Sequence, residues 1–105
     1  MRIAIPLAHG KCGGQDEYCD HLAIIDVEIW TRAIVGRRDV SLPLQSPSSL
    51  PESLASLGVA ILICGDMEPR LQRSFREHGV VVIAGAPPQA PEQLIQNYLV
   101  SSLSR

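Results

Sequence analysis

Short apolar runs alternate with polar segments along the chain, and each run has the length of a β-strand. Residues 3–7 and 21–28 are the first two, and both are rich in isoleucine, leucine and alanine. Residues 31–38 alternate enough to predict a third, partly exposed strand. Residues 59–64 and 80–85 are continuously apolar, the pattern of strands that are covered on both faces. The pattern therefore predicts five strands.

Three segments with helical spacing of apolar residues accompany the two later runs. Ser49 to Glu52 fits a capping box, so a helix is expected to begin there and to end at Gly58. Asp66 is expected to cap a second helix, and Pro91 to open a third. The predicted order is β-β-β-α-β-α-β-α, which is an α/β fold with a mixed five-stranded sheet.

The alternation of strands and helices in the second half predicts where a ligand would bind. A helix that connects two neighbouring parallel strands forms a right-handed crossover, so this part of the sheet is expected to be parallel. Ligands of open α/β sheets lie beyond the carboxyl ends of parallel strands, so the loops after Leu7, Cys64 and Ala84 are the places to look. The first and fourth predicted strands should be neighbours, because both are apolar runs that end at such loops.

The composition narrows the class of protein. The 105 residues are 46% hydrophobic and 19% charged, which suits a single folded domain over residues 1–105. A net charge of -2 and four scattered aromatic residues argue against nucleic acid as a partner. No apolar run is long enough to span a membrane, and the first residues lack a signal-peptide pattern. We therefore expect a cytoplasmic protein.

Cysteine and histidine side chains are concentrated in a long polar segment over residues 8–20 and just beyond it. His9, Cys12, Cys19 and His21 lie within thirteen positions, and Cys64 ends the fourth predicted strand. Three cysteines in a chain without an export signal are expected to be free thiols. Thiolate and imidazole bind iron, copper(I) and zinc, so these five residues are candidate metal ligands.

Each candidate ligand also has a purely structural interpretation. Their spacing matches no tight chelating loop such as Cys-x2-Cys. Cys64, within an apolar run, has the environment of a small buried hydrophobic residue, and His21 at a strand start has that of a structural residue. Cys12 and Cys19 lie in a glycine-bearing polar segment, where ligation and a structural role are about equally supported.

The order and spacing of several short motifs resemble one known family. The matching pieces are residues 1–7, Gly10-Lys11, Asp26-Val27-Glu28, Leu50-Pro51, Leu57-Gly58-Val59, Cys64-Gly65, Glu77-His78-Gly79-Val80, Gly85-Ala86 and the closing amphipathic helix. Together they span nearly the whole chain and resemble the dinitrogenase iron-molybdenum cofactor biosynthesis family, which includes the small NifX-type and NafY-type domains.

The resemblance implies a fold and a function. The family has a ribonuclease H-like fold with the strand and helix order predicted above. Its members bind or carry metal-sulfur clusters, including precursors of the iron-molybdenum cofactor of nitrogen fixation. By this resemblance the chain would bind an iron-sulfur or molybdenum-containing cluster, without catalysis, and would exchange it with a cofactor-biosynthesis protein.

The chain departs from the family pattern at three places. The usual His-Phe-Gly of the first loop falls on Gln15-Asp16-Glu17, and the second family histidine falls near Gln45. The glycine-rich turn after the fourth strand is here Gly65-Asp66-Met67-Glu68, which adds two carboxylates where an anion would bind. An alternative is therefore an interaction or regulatory module that keeps the fold and has lost the cluster.

If a cluster binds, the sequence favours Cys12 and Cys19 as its thiolate ligands and His9 as its nitrogen ligand, because their segment replaces the family's histidine loop. Enzymatic functions are less well supported. The first strand lacks the acidic residue that a two-metal nuclease of this fold would need, and phosphate-binding and serine-nucleophile motifs are absent from the sequence. We expect a protein that is not an enzyme.

Overall fold

The structure is a computed structural model that describes residues 1–14, 18–43 and 49–103. Six strands and three helices follow one another along these residues. They are β1 (Arg2–Ala8), β2 (Lys11–Cys12), β3 (His21–Glu28), β4 (Ala33–Ser41), α1 (Leu50–Ser56), β5 (Ile61–Ile63), α2 (Pro69–Glu77), β6 (Val81–Ile83) and α3 (Pro91–Leu103).

All six strands belong to one mixed sheet with β1 at its centre. The order is β4-β3-β1-β5-β6, and β2 pairs with the end of β1. β1 is antiparallel to β3 and parallel to β5, and β5 is parallel to β6. The predicted mixed α/β fold is therefore confirmed, and so is the expectation that the first and fourth predicted strands are neighbours.

The sixth strand, β2, was not predicted from the sequence. Lys11 and Cys12 pair with Ala8 and Leu7 across a tight turn at residues 9–10. His9 and Gly10 both have positive φ angles there, 55° and 79°. A strand of two residues is too short to show alternation, so the sequence marked this stretch only as polar and rich in glycine.

Two apolar layers cover the two faces of the sheet. The layer under α3 contains residues of β1, β3 and β5 together with Leu94, Ile95 and Leu99. The opposite layer lies under α1 and α2 and contains Leu54 and Phe75. Alternate side chains of β1 and β3 enter different layers, which explains why both strands are apolar along their length.

Helix α1 begins and ends as its sequence predicts. The Ser49 side chain accepts a hydrogen bond from the Glu52 N–H at 3.5 Å, as an N-cap residue does. After Leu57 the chain turns at Gly58, whose φ of 75° favours glycine.

The start of the second helix differs from prediction. The second helix begins at Pro69 with Glu68 as its N-cap residue, and Asp66 is not its cap. Proline fits the first turn of a helix, and the Glu68 carbonyl accepts hydrogen bonds from Leu71 N and Gln72 N.

β6 is less buried than its apolar run suggested. Val81 is 57% exposed, because β6 is an edge strand of the sheet. Burial of an apolar run depends on the place of its strand in the sheet, which the run itself does not reveal.

Over the described part of the chain, no helix has the length and apolarity that crossing a bilayer requires.

One arginine ties the start of β1 to β3 and to the end of α1. Arg2 Nε donates to Asp26 Oδ1 on β3 at 2.8 Å, and Arg2 Nη1 donates to the Leu57 carbonyl at 2.6 Å, just after α1. The hydrogen bond and the charge of Arg2 hold the pKa of Asp26 below its ordinary value of 3.8. Both side chains are about two-fifths exposed, so solvent screens the pair and its contribution to stability is small.

We predict that Asp26→Asn lowers the free energy of unfolding at neutral pH by up to about 1 kcal/mol. The contribution of Asp26 is complete above the unfolded pKa of 3.8 and is lost as the pH falls through the lower folded pKa. Urea unfolding of both proteins from pH 7 downward should show the gap closing in acid. Glu77→Gln, on the exposed end of α2, should show no such gap, and a D26N gap that persists in acid would contradict the prediction.

Candidate functional site

The loops that follow β1, β5 and β6 meet at one edge of the sheet. Gly65 N donates to the Gly13 carbonyl at 3.0 Å, and Gly85 N donates to the Gly65 carbonyl at 3.1 Å. From β1 the chain proceeds toward β3, whereas from β5 it proceeds to β6 on the other side. A crevice at such a switch point is the usual ligand site of an open α/β sheet.

Pro6 separates β1 from β5 at this edge. β5 pairs with the amino half of β1 and stops before Pro6. If that parallel register continued, Pro6 would lie opposite Cys64 and would have to donate an N–H to the Ile63 carbonyl, which proline lacks. Gly13 fills the gap instead. Its N–H donates to the Pro6 carbonyl at 2.9 Å, and its own carbonyl accepts from Gly65 N.

Glycines allow the two loops to touch backbone to backbone. A methyl group on Gly65 would lie 3.0 Å from the Cα of Gly14, and one on Gly14 would lie 2.9 Å from Asp66 N. A methyl group on Gly13 would lie 2.7 Å from the Cys19 Sγ. Any larger residue at these positions would push the loops apart.

A pocket of about 320 Å³ opens beside this contact, on the side of the sheet that carries α1 and α2. Its volume is at the lower end of the range for small-molecule sites. Most of its lining is apolar, and two cysteines contribute to it. The lining residues are Pro6, Gly14, Cys19, Leu22, Leu42, Leu50, Leu62, Cys64, Met67, Leu71 and Phe75.

Cys19 and Cys64 reach the pocket from different loops. Cys64 is fully buried at the end of β5, and Cys19 is half-buried. Burial raises the pKa of the Cys64 thiol to about 11, and negative charge on Cys12, Cys19 and Asp66 adds to the effect. Cys64 is therefore a protonated thiol at neutral pH, close enough to the other two thiols to respond to their charge.

Cys12 lies in the opposite layer of the core. It is 2% exposed among the residues under α3, and its Sγ is 4.0 Å from the Ile63 carbonyl. Its N–H donates to the Gln89 carbonyl at 2.9 Å, which holds β2 against the loop before α3. The pocket therefore includes Cys19 and Cys64, whereas the sequence pattern favours Cys12 as the partner of Cys19.

The candidate histidines lie at the surface and do not line the pocket. His9 is exposed in the turn between β1 and β2, and His21 Nδ1 is 3.3 Å from Asp20 Oδ1. Gln15 and Gln45, where the resembling family has histidines, lie outside the described residues. Within the described ranges, no three His, Cys, Asp or Glu side chains form a group that could hold a metal ion.

Several pocket residues were not expected from the sequence. Pro6 lies within β1, which continues to Ala8, and it lines the pocket. Met67 follows Asp66, the residue expected to cap the second helix, but it lies in the loop between β5 and α2. A proline within a buried strand, followed closely by two adjacent glycines, was the available signal, because prolines rarely occur within central strands.

The fold and the pocket define a class of protein: a small mixed-sheet α/β domain with a ligand-sized pocket at its switch point. No protein-family model matches the chain, and no curated protein matches it in sequence.

The solved structures that share this fold include three that align with most of this chain. One, PH0822, is 20% identical, with a TM-score of 0.79 and coverage of 96% of this chain and 92% of that one. A Methanocaldococcus jannaschii protein provisionally named as a dinitrogenase is 15% identical, with a TM-score of 0.73 and coverage of 96% and 89%. The apo form of the orange protein from Desulfovibrio gigas is 19% identical, with a TM-score of 0.66 and coverage of 95% and 88%. At the level of the fold, the latter two agree with the resemblance found in the sequence.

We predict that Gly65→Ala destabilises the protein by about 1–3 kcal/mol, because the new methyl group meets backbone atoms that cannot move independently. Thermal or urea unfolding measures the change. Gly36→Ala is the matched control, since a methyl group there would make an ordinary contact at 3.8 Å, with Asp26 Oδ2. Equal stability of the two variants would show that the loops do not need the close contact.

We also predict that the three thiols react at different rates with iodoacetamide. With a pKa of about 11, roughly one Cys64 thiol in a thousand is ionised at pH 8. Cys19 should therefore be modified first, and Cys12 and Cys64 should follow slowly because they are buried. Peptide mass spectrometry after timed labelling gives the rates, and labelling in denaturant is the control. Labelling of Cys64 as fast as Cys19 would contradict the described burial.

Proposed function

We propose that the protein binds and carries a metal-sulfur cluster, or a precursor of one, in the pocket between β1 and β5. The observation that carries the proposal is that two thiols from separate loops line one pocket at the switch point of the sheet. Iron-sulfur clusters are held by cysteine thiolates, and thiolates also suit other soft metals. The cluster is cargo, either an iron-sulfur or a molybdenum-containing one.

The pocket lining supports carriage rather than catalysis. Among the described residues, the lining offers two cysteines, apolar side chains and a glycine, and none of them is a carboxylate, imidazole or amine that could act as acid or base. Cys64 is a poor nucleophile because it remains protonated at neutral pH. A pocket of this kind can enclose a small inorganic group and protect it from water.

The fold neighbours support the same proposal. Among the solved structures with this fold are the protein provisionally named as a dinitrogenase and the apo form of an orange protein. Our proposal includes a ribonuclease H-like fold and the handling of nitrogenase-type cofactors. The proposed partner is a cofactor-biosynthesis protein that supplies or receives the cluster.

The thiols also support a reducing location. No disulfide joins the three cysteines, and cysteines stay reduced in the cytoplasm but are oxidised in export compartments. We therefore include a cytoplasmic location in the proposal.

Anaerobic reconstitution tests the function. The purified chain is incubated with ferrous iron and sulfide or, separately, with tetrathiomolybdate, and is then desalted. We expect retained metal by elemental analysis and charge-transfer bands in the visible spectrum. Cys19→Ser and Cys64→Ser should each reduce retention severalfold, because each removes one thiolate from the pocket.

Two further variants distinguish the possible ligand sets. If the ligands are those favoured by the sequence alone, Cys12→Ala and His9→Ala should abolish retention and Cys64→Ser should not. If the pocket holds the cluster, Cys64→Ser should reduce retention, and Cys12→Ala and His9→Ala should not. A wild-type protein that stays colourless and free of metal in both reconstitutions would overturn the proposal in favour of an interaction module with the same fold.

A further inference from the structure

Three sulfur-containing residues line the same small pocket. Besides Cys19 and Cys64, the lining contains Met67, which lies three residues after Cys64 and is half-buried. The turn that carries Met67 is fixed, because Gln72 Nε2 donates to the Met67 carbonyl at 2.8 Å. The three residues therefore come from two loops that are already held together by the Gly65 to Gly13 hydrogen bond.

The other lining side chains provide no competing ligand. Among the described residues they are five leucines, Phe75, Pro6 and Gly14, and none of these has a polar side-chain atom. Hard cations such as Mg²⁺ and Ca²⁺ need several oxygen ligands, which these side chains do not supply. Zn²⁺ usually takes four ligands from Cys, His, Asp and Glu, and no group of even three is present within the described residues.

Thiolate and thioether together are the soft ligands that select Cu(I) among biological metals. Cu(I) also tolerates a low coordination number, which suits a pocket whose described lining residues offer three sulfur-containing side chains and no oxygen or nitrogen on any side chain. The apolar lining adds to this preference, because it excludes the water that would otherwise complete the coordination shell of a harder ion.

We propose that Cys19, Cys64 and Met67 bind one Cu(I) ion in this pocket. This proposal rests on the proposed function, because both place a metal in the same pocket. It adds which metal ion the sulfur-containing side chains of the pocket prefer. When Cu(I) binds, it replaces the thiol protons of Cys19 and Cys64, and these protons pass to the buffer. No electron is transferred, so copper enters and remains as Cu(I).

Competition with the Cu(I) chelator bathocuproine disulfonate tests the site. The full chain is kept reduced and anaerobic, and Cu(I) is supplied as the chelator complex, whose loss of absorbance reports transfer. We expect one Cu(I) per chain. Met67→Leu preserves the side-chain volume, so the protein should fold normally while its affinity for Cu(I) falls about tenfold or more.

The cysteine variants locate the remaining ligands. Cys19→Ser should weaken Cu(I) binding more than Met67→Leu, because it removes a charged ligand. Cys12→Ala should bind Cu(I) like the wild-type chain, since Cys12 lies in the opposite core layer. Should Cys64→Ser fail to fold, Met67→Leu and Cys19→Ser still decide the question.

X-ray absorption at the copper edge provides a readout that a packing role of Met67 would not change. The wild-type spectrum should show three sulfur neighbours and the Met67→Leu spectrum two. Nitrogen or oxygen neighbours, unchanged affinity in Met67→Leu, or loss of copper in Cys12→Ala would each overturn the site.

Iron and sulfide retention by the same samples separates the two proposals. Retention of iron and sulfide without transfer of Cu(I) would overturn the copper site and leave cluster carriage in place. Transfer of one Cu(I) without retention of iron, sulfide or thiomolybdate would support the copper site and overturn cluster carriage.

Discussion

A missing hydrogen-bond donor in the central strand shapes the functional end of this molecule. Pro6 lies in β1, where a continued parallel pairing with β5 would require an N–H that proline does not have. The two strands separate at that point, and Gly13 enters between them, donating to Pro6 and accepting from Gly65. The sheet therefore opens at its carboxyl edge without leaving these backbone groups unpaired.

This opening also determines which cysteines line the same pocket. Gly14 and Gly65 lack side chains where their backbones touch, so the loop carrying Cys19 can dock on the loop that begins with Cys64. Cys12 precedes the contact in β2 and follows the alternation of that strand into the other core layer. The low polarity around Cys64 keeps its thiol protonated until something replaces the proton. A buried cysteine and a half-buried one that line the same pocket suit a site that encloses a soft metal.

The fold is shared with proteins whose sequences have diverged to 15–20% identity. At such distances the arrangement of strands persists because each apolar position needs only a side chain of suitable size. The chemistry of a site is more specific, since it depends on which residue types the loops present. The loops of this chain present cysteines and a methionine to an apolar pocket, so its function has to be argued from those sulfurs.

Local pattern was sufficient for most of the elements in this chain. The apolar runs of β1, β3 and β5 and the cap of α1 at Ser49 are properties of neighbouring residues, and the structure has them where the pattern indicates. The pairing of Cys19 with Cys64, 45 positions apart, is not such a property. It depends on Pro6, Gly13 and Gly65 meeting across the sheet, and the exposure of β6 likewise depends on its place at an edge. Contacts between distant residues arise from the packing of whole elements, and a linear pattern of polarity does not encode their geometry.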